Sequence, residues 1–240
     1  MSGDPTGCRV EPVTGALTVR VVRGPVARTP AQAAGIAAAW EGLCRANPRY
    51  FNGRILSFES YDPGTGVAVA RDEEYRAHAV KRSVDLGLSF FGITGVLCVR
   101  DAGGADRYML ARRGDSVHDY PGRWEFGPCG GIDPPASGDT LTPDDLAGEL
   151  RREAGEELGI GLEGAELTHL ALVHDRPAIG STDLMVRCRL AALPETASNW
   201  EVSGTRWVTL GELQAWAARS PGDIIPTTRA LAAWLAGGAG

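Results

Sequence analysis

Basic charge is outweighed by acidic charge in this sequence and is nowhere concentrated. Lys and Arg total 24 against 30 Asp and Glu in 240 residues, a formal net charge of −6, and the cations never gather into a run. A chain that tracks a phosphate backbone carries a Lys/Arg stripe, so no nucleic-acid partner is expected. Cysteine is also sparse: Cys8, Cys44, Cys98, Cys129 and Cys188 are scattered, odd in number and without a C-x-x-C pair. That argues against a disulfide framework or a zinc knuckle and makes a reducing cytoplasm the expected setting. No apolar stretch approaches the roughly 18 residues that cross a bilayer. The N-terminus has no basic segment leading into an apolar one, so neither a membrane partner nor a secretion signal is expected. What remains fits one large domain, or a catalytic domain with an extension, at 43% hydrophobic residues.

Residues 1–15 are polar and rich in Gly and Pro, and read as loose. Residues 17–26 read as a strand, and Thr29-Pro30 as an N-cap with proline at the first helical position, leading a helix to about Ala46. Residues 54–61 and 66–70 read as a hairpin around Asp62-Pro63-Gly64, and residues 73–83 as a helix. This puts an α+β extension at 1–86, possible as part of the same domain, before a main domain at 87–240. There, strands are expected at 92–100, 107–112, 124–127, 167–173, 184–193 and 205–208, with helices at 144–158, 210–218 and 227–236. A long Gly/Pro-rich loop fills 114–143, and the tail at 237–240 reads as disordered.

The helix at 144–158 carries Glu149, Glu153, Glu156 and Glu157 at spacings that make them neighbours on one side. Like charges so placed cost about 0.2–0.5 kcal/mol per pair, and in the C-terminal half of a helix they also oppose its dipole. The arrangement calls for a cation among them. Hard oxygen donors in this number suit Mg²⁺ or Mn²⁺. The plainer alternative is a solvated acidic face partly paired with Arg151 and Arg152.

The run Arg152-Glu153-Ala154-Gly155-Glu156-Glu157-Leu158-Gly159-Ile160 resembles the core of the Nudix box, R-E-U-x-E-E-x-G-U, with U a bulky aliphatic. Gly130-Gly131, after a Trp-Glu-Phe-Gly-Pro stretch, resembles the glycines that open the box. Two departures stand out: residues 133–139 lengthen the loop beyond the usual spacing, and Ala154 replaces the larger aliphatic. Counting back from Arg152 would select Gly138 and Asp144, but Gly131 is the preferred structural equivalent.

The resemblance implies an α+β fold, an α/β/α sandwich around a mixed sheet, and cleavage of a diphosphate with Mg²⁺ or Mn²⁺ as cofactor. It assigns Glu156 and Glu157 as metal ligands, Glu153 as ligand or water-activating base, the Gly131 carbonyl as a further ligand, and Arg152 as the residue that holds a carboxylate in place. Glu201, in preference to Asp183, is the expected ligand from a later loop.

For substrate, Arg112 and Arg113 are candidates to clamp phosphate, or else simply end a strand in solvent. Trp124, Tyr120 and Asn52 are weighed as substrate contacts, against core and turn roles for Trp124 and Asn52. His118 and His174 are candidate bases against a structural reading.

The run Asn47-Pro48-Arg49-Tyr50-Phe51-Asn52-Gly53-Arg54, with Trp40, Tyr75 and Leu86-Gly87, is similar to the N-terminal region of the UDP-glucose diphosphatase branch. It implies a nucleoside diphosphate sugar as the small-molecule partner, and the superfamily is compatible with a homodimer. The alternatives are ADP-ribose or a dinucleotide, a non-catalytic nucleotide-binding domain, and an isopentenyl-diphosphate isomerase-like enzyme using Cys129.

Overall fold

The described residues form one mixed sheet with helices on both faces. In the computed structural model, residues 6–175 and 180–238 are described. The extension contributes β1 (Arg9–Pro12), β2 (Thr18–Val22), α1 (Pro30–Ala46), β3 (Arg54–Asp62), β4 (Val67–Glu74) and α2 (Tyr75–Ala79). There follow β5 (Phe90–Arg100), β6 (Asp106–Arg113), β7 (Trp124–Phe126), β8 (Cys129–Gly131), β9 (Thr140–Leu141) and α3 (Pro143–Leu158). The chain closes with β10 (Glu166–Asp175), β11 (Ser181–Leu190), β12 (Val202–Thr209), α4 (Leu210–Arg219) and α5 (Pro226–Ala236). The strand order is β1-β10-β11-β5-β3-β4-β2-β9, with β8 and the β6-β7-β12 group also joined through β5 and β6.

Strand β5 is the hub. It runs parallel to β11 over ten paired residues and antiparallel to β6 and β8. Its side chains alternate between the two faces, as a strand's period of two requires. Phe91, Ile93 and Leu97 enter the core beneath α3, whereas Val96 enters the opposite core under α4 and α5. The same alternation puts Leu184 and Val186 on one side of β11 and Met185 on the other. These two apolar layers are the sandwich expected from the sequence.

Helix α3 starts where its first residues dictate. The Thr142 hydroxyl accepts from the Asp145 N–H, the Asp145 carboxylate accepts in return from the Thr142 N–H, and Pro143 occupies the first turn. Leu146, Leu150, Ala154 and Leu158 form its fully buried stripe, each leucine contributing about 1.5–3 kcal/mol on burial. Gly159, at φ 66°, takes the left-handed position that stops the helix.

Two readings need correction, and a third gains detail. Residues 9–12, expected to be loose, form β1 on the edge of β10, and residues 1–5 lie outside the described residues, as do 239 and 240 of the tail. The helix expected at 73–83 is confined to Tyr75–Ala79, because Asp72 and Glu73 stay in β4, held by Arg54 and Arg28. The lengthened loop is no free excursion. It supplies β9 to the edge of β2, and Arg23 donates to the carbonyls of Pro135 and Gly138. Val13, Leu17, Val19 and Val21 consequently share a core with Leu146 and Leu150 of α3.

Candidate active site

One cleft of about 760 Å³ runs between the outer face of α3 and the extension. Its acidic wall is built by α3 and β8. Arg152 is the pivot: its guanidinium donates to Glu149 at 2.6 Å and Glu156 at 2.9 Å, and pairs with Glu153 at 2.9 Å. The cation that the crowded carboxylates called for is thus partly this side chain. Glu157 is left outside that group. It turns toward the sheet and accepts from the Cys129 N–H at 2.9 Å.

Burial drives the electrostatics. Glu153 is 9% exposed and Glu157 8%. Burial pushes the Glu153 carboxyl up to about 7 against the pull of Arg152, while Glu156, Glu149 and Glu201 add to the rise. The Glu157 carboxyl is pushed well above the ordinary range by burial, with Glu125, Glu153 and Glu201 adding to it. Buried carboxylates that lack enough cationic charge are costly as anions, and a divalent cation would relieve this. Among the described residues no three acidic, His or Cys side chains already form a finished metal cage. The buried carboxylates of α3 are hard oxygen donors, the type that Mg²⁺ takes together with waters and substrate phosphates. On donor chemistry and burial, the residues present fit such an ion.

The glycine pair lets neighbouring side chains approach the backbone of β8 closely. A Cβ at Gly130 would overlap the Glu153 carboxylate, and one at Gly131 would overlap Ile55 and crowd Phe90. Ladder bonds join Ile132 to Phe91 and Gly95 to Pro128, so Cys129 and Gly131 occupy the alternate positions of β8 and present their backbone groups to its other edge. That edge is where the Cys129 N–H meets Glu157. Gly131 lines the cleft; Gly138 sits in the turn gripped by Arg23. Ala154, the box's small aliphatic, is fully buried in the core beneath α3.

Glu201 also lines the cleft, its carboxyl raised by burial and by Glu156. It is brought there by Asn199, whose amide donates to the Glu156 carbonyl at 2.9 Å and ties the loop to the end of α3. Asp183 lies at the cleft floor on the other side of β8, hydrogen-bonded by Ser181 at 3.0 Å and raised to about 7 by burial.

The substrate candidates separate sharply. Arg113 reaches the cleft, but as an anchor: it pairs with buried Glu125 at 2.6 Å and donates to the Asp119 carbonyl at 2.8 Å. Arg112, its neighbour on β6, points to Ser203 instead. Trp124 packs edge-on against Trp216, with ring centroids 5.5 Å apart. Asn52 has its amide engaged between the Glu74 carboxylate and the Arg76 N–H. Arg112, Trp124 and Asn52 therefore stand outside the cleft lining. His174 is buried between Thr182 and Glu11, away from the cleft, whereas His118 lines it beside the Tyr50 hydroxyl. Tyr120 also lines it, its hydroxyl bonded to Asp175 at 2.6 Å.

The opposite wall takes Arg49, Tyr50, Phe51 and Tyr75 from the segments singled out by resemblance, and adds Trp200, His78 and Lys81, which the sequence did not mark. Phe51 and Trp200 line the cleft while 78% and 45% exposed, and the Arg49 guanidinium lies 5.2 Å from the Trp200 ring centre. Tyr50 and Tyr75 stack behind them at 6.5 Å. An exposed aromatic pair beside a polar cleft was the one available signal, and exposure cannot be read from sequence.

The family described as NUDIX domain matches residues 92–228. No curated protein sequence matches the chain. Among solved structures, a NUDIX hydrolase from Alicyclobacillus acidocaldarius is 15% identical, covering 61% of this chain and 90% of its own, with a TM-score of 0.49. DR0079 from Deinococcus radiodurans is 21% identical over 60% of this chain and 81% of its own, at 0.46. The NUDIX domain of Shewanella oneidensis NrtR, solved with ADP ribose, is 19% identical over 52% and 75%, at 0.41.

Proposed function

The chain belongs to the NUDIX domain family, and from that premise we propose that it hydrolyses the diphosphate bond of a nucleoside diphosphate derivative, with a nucleoside diphosphate sugar as the preferred substrate. The observation that carries the reading is the pair of buried carboxylates, Glu153 and Glu157, beside Gly130-Gly131 in a cleft whose far wall is aromatic.

Each wall has a part. Glu156, Glu157 and the Gly131 carbonyl would hold the divalent ion, with Glu153 as a further ligand or the base and Glu201 as the ligand from the later loop. When bound, that ion lowers the pKa of water and offsets charge on the leaving phosphate. Arg152 fixes Glu153 and Glu156 in place, so it positions the acidic wall and leaves the substrate to other groups. Arg113 does the same for Glu125. Phe51 and Trp200 offer faces on which a base stacks, an arrangement worth about 1–3 kcal/mol per base. Products would be a nucleoside monophosphate and a sugar 1-phosphate. Cys129 does not suit an isomerase-type role as a free reactive thiol: it donates to Glu125, and burial beside Glu125 and Glu157 pushes its pKa well up.

The test is product release from UDP-sugars, ADP-sugars, ADP-ribose and dinucleotides with Mg²⁺, Mn²⁺ or EDTA, with Glu156→Gln as the control. Metal-dependent release of monophosphate, lost in the variant, is the expected result. A chain that binds these nucleotides yet turns over none of them would be a binding domain, and the reading would be wrong.

A further inference from the structure

Past the glycine pair the cleft continues into a pocket that the hydrolysis just proposed leaves unused. Phe90 marks the boundary: its ring crowds Gly131 on one side and meets His78 edge-on at 5.7 Å on the other. His78 lines the cleft, is 3% exposed, and has no hydrogen-bond partner at either ring nitrogen among the described residues. A buried side chain with donor and acceptor both unmet is uncommon and calls for an explanation. Burial, followed by Lys81 and Arg28, holds its pKa down to about 3, so the ring is neutral and offers one donor and one acceptor.

Lys81 follows in the turn just past the end of α2, its N–H donating to the His78 carbonyl at 3.2 Å. Its Nζ donates to the Gly180 carbonyl at 2.8 Å and keeps two further donors. Asp119, Asp183 and Ser181 line the same cleft, and the first two act on Lys81 electrostatically. The pocket thus mixes donors with carboxylate acceptors. A second phosphate would face the carboxyls of Asp119, which is paired with Arg82 at 3.0 Å, and of Asp183, whereas an uncharged group meets no such opposition. Vicinal hydroxyls, each able to donate and accept, satisfy both sets at once.

We propose that His78, Lys81 and Asp183 form a glycosyl subsite, which takes the hydroxyls of the sugar carried on the phosphate remote from the nucleoside. The proposal rests on the diphosphatase reading for its direction. The pocket lies one aromatic ring beyond Gly131, where the group attached to the far phosphate would fall.

The experiment compares UDP-glucose and ADP-glucose with the methyl esters of UDP and ADP, which keep the diphosphate and lack the sugar. Wild type should show a KM at least about tenfold lower for the glucosyl compounds than for their methyl esters. His78→Phe and Lys81→Met should each raise the glucosyl KM about tenfold while kcat moves little, bringing the ratio of the two KM values toward one. His78→Gln, which keeps a donor and an acceptor, should recover part of the preference. Equal KM values in wild type, or variants that raise both in parallel, would overturn the subsite. Calorimetric binding of the same compounds to metal-free protein scores the pocket without turnover. A glucosyl preference in binding with no hydrolysis would sink the diphosphatase reading and leave the subsite standing; equal binding would sink the subsite. Lys81→Met and His78→Gln carry the test if His78→Phe fails to fold.

Discussion

On one wall of the cleft, Glu153, Glu156 and Glu157 come from consecutive turns of a single helix. On the other, Arg49, Tyr50, Phe51, Tyr75, His78 and Lys81 come from two separate segments of the extension. The first wall is a local pattern, fixed once α3 forms. The second exists only after β3 and β4 have paired and α2 has folded back beside α1. Chemistry and recognition are therefore written in different ways: one in the spacing of residues along a helix, the other in the assembly of the sheet.

That contrast can be broken most severely on the acidic side. Glu157→Gln should cut kcat by about 10³-fold, roughly 4 kcal/mol, with KM little changed, in metal-saturated steady-state kinetics. A drop confined to KM would place Glu157 among the recognition groups. Next in size is Arg28→Met, which strips the guanidinium from Glu73, whose side chain is fully buried, and from Glu74. Leaving a buried carboxylate unpaired should cost about 3 kcal/mol in denaturant unfolding and raise KM more than it lowers kcat. Unchanged stability would show that the extension does not depend on this anchor. Trp200→Ala should raise KM about tenfold through lost stacking, with kcat preserved; an equal fall in kcat would tie Trp200 to the acidic wall through its neighbour Glu201.

The smallest effect is on pH. The folded Glu153 carboxyl sits at about 7, above its ordinary value, so the folded state holds more protons than the unfolded state between those limits. Its contribution is intact below the unfolded pKa and is lost as pH rises through about 7. Metal-free protein should accordingly lose Tm from pH 5 to pH 8, and added Mn²⁺ should raise Tm by a few degrees more at pH 8 than at pH 6. A metal-induced shift independent of pH would mean that Glu153 stays ionised without the ion.

How much of this was legible follows from the same division. The α3 helix declared itself through Thr142-Pro143 at its start, Gly159 at its stop and a leucine stripe between, all local signals. Strands β5, β10 and β11 announced themselves as long apolar runs. Strands β1, β8 and β9 did not, being two to four residues long and defined by partners far away in sequence. Residues 73–83 read as helix because Glu, Arg and Ala favour one; the buried pairing of Glu73 with Arg28 overrode that propensity. Among the site residues, the carboxylates were visible because a helix fixes which residues share a side. Arg112 and Arg113 could not be told apart, since neighbours on a strand face opposite ways and the sequence does not say which way is the cleft. Phe51 was marked only as part of the Asn47–Arg54 run, and His78, Lys81 and Trp200 carried no signal, because unmet hydrogen bonds and exposed rings are properties of a packed structure.

The edges of the sheet also set a timetable. Arg9 of β1 lies beside His174, 165 residues later, and Arg23, just past β2, grips Pro135, 112 residues later. During synthesis β1 emerges long before its partner β10, whereas β2 has β4 close behind it and waits only for the short β9; closing the longer loops is entropically slow. Strands β2, β3 and β4 can therefore pair among themselves early, whereas β1 must wait for β10, near the end of the chain. Fusions or slow codons that delay the last third of the chain would prolong the period in which β1 exposes an open edge, the condition under which chains associate wrongly.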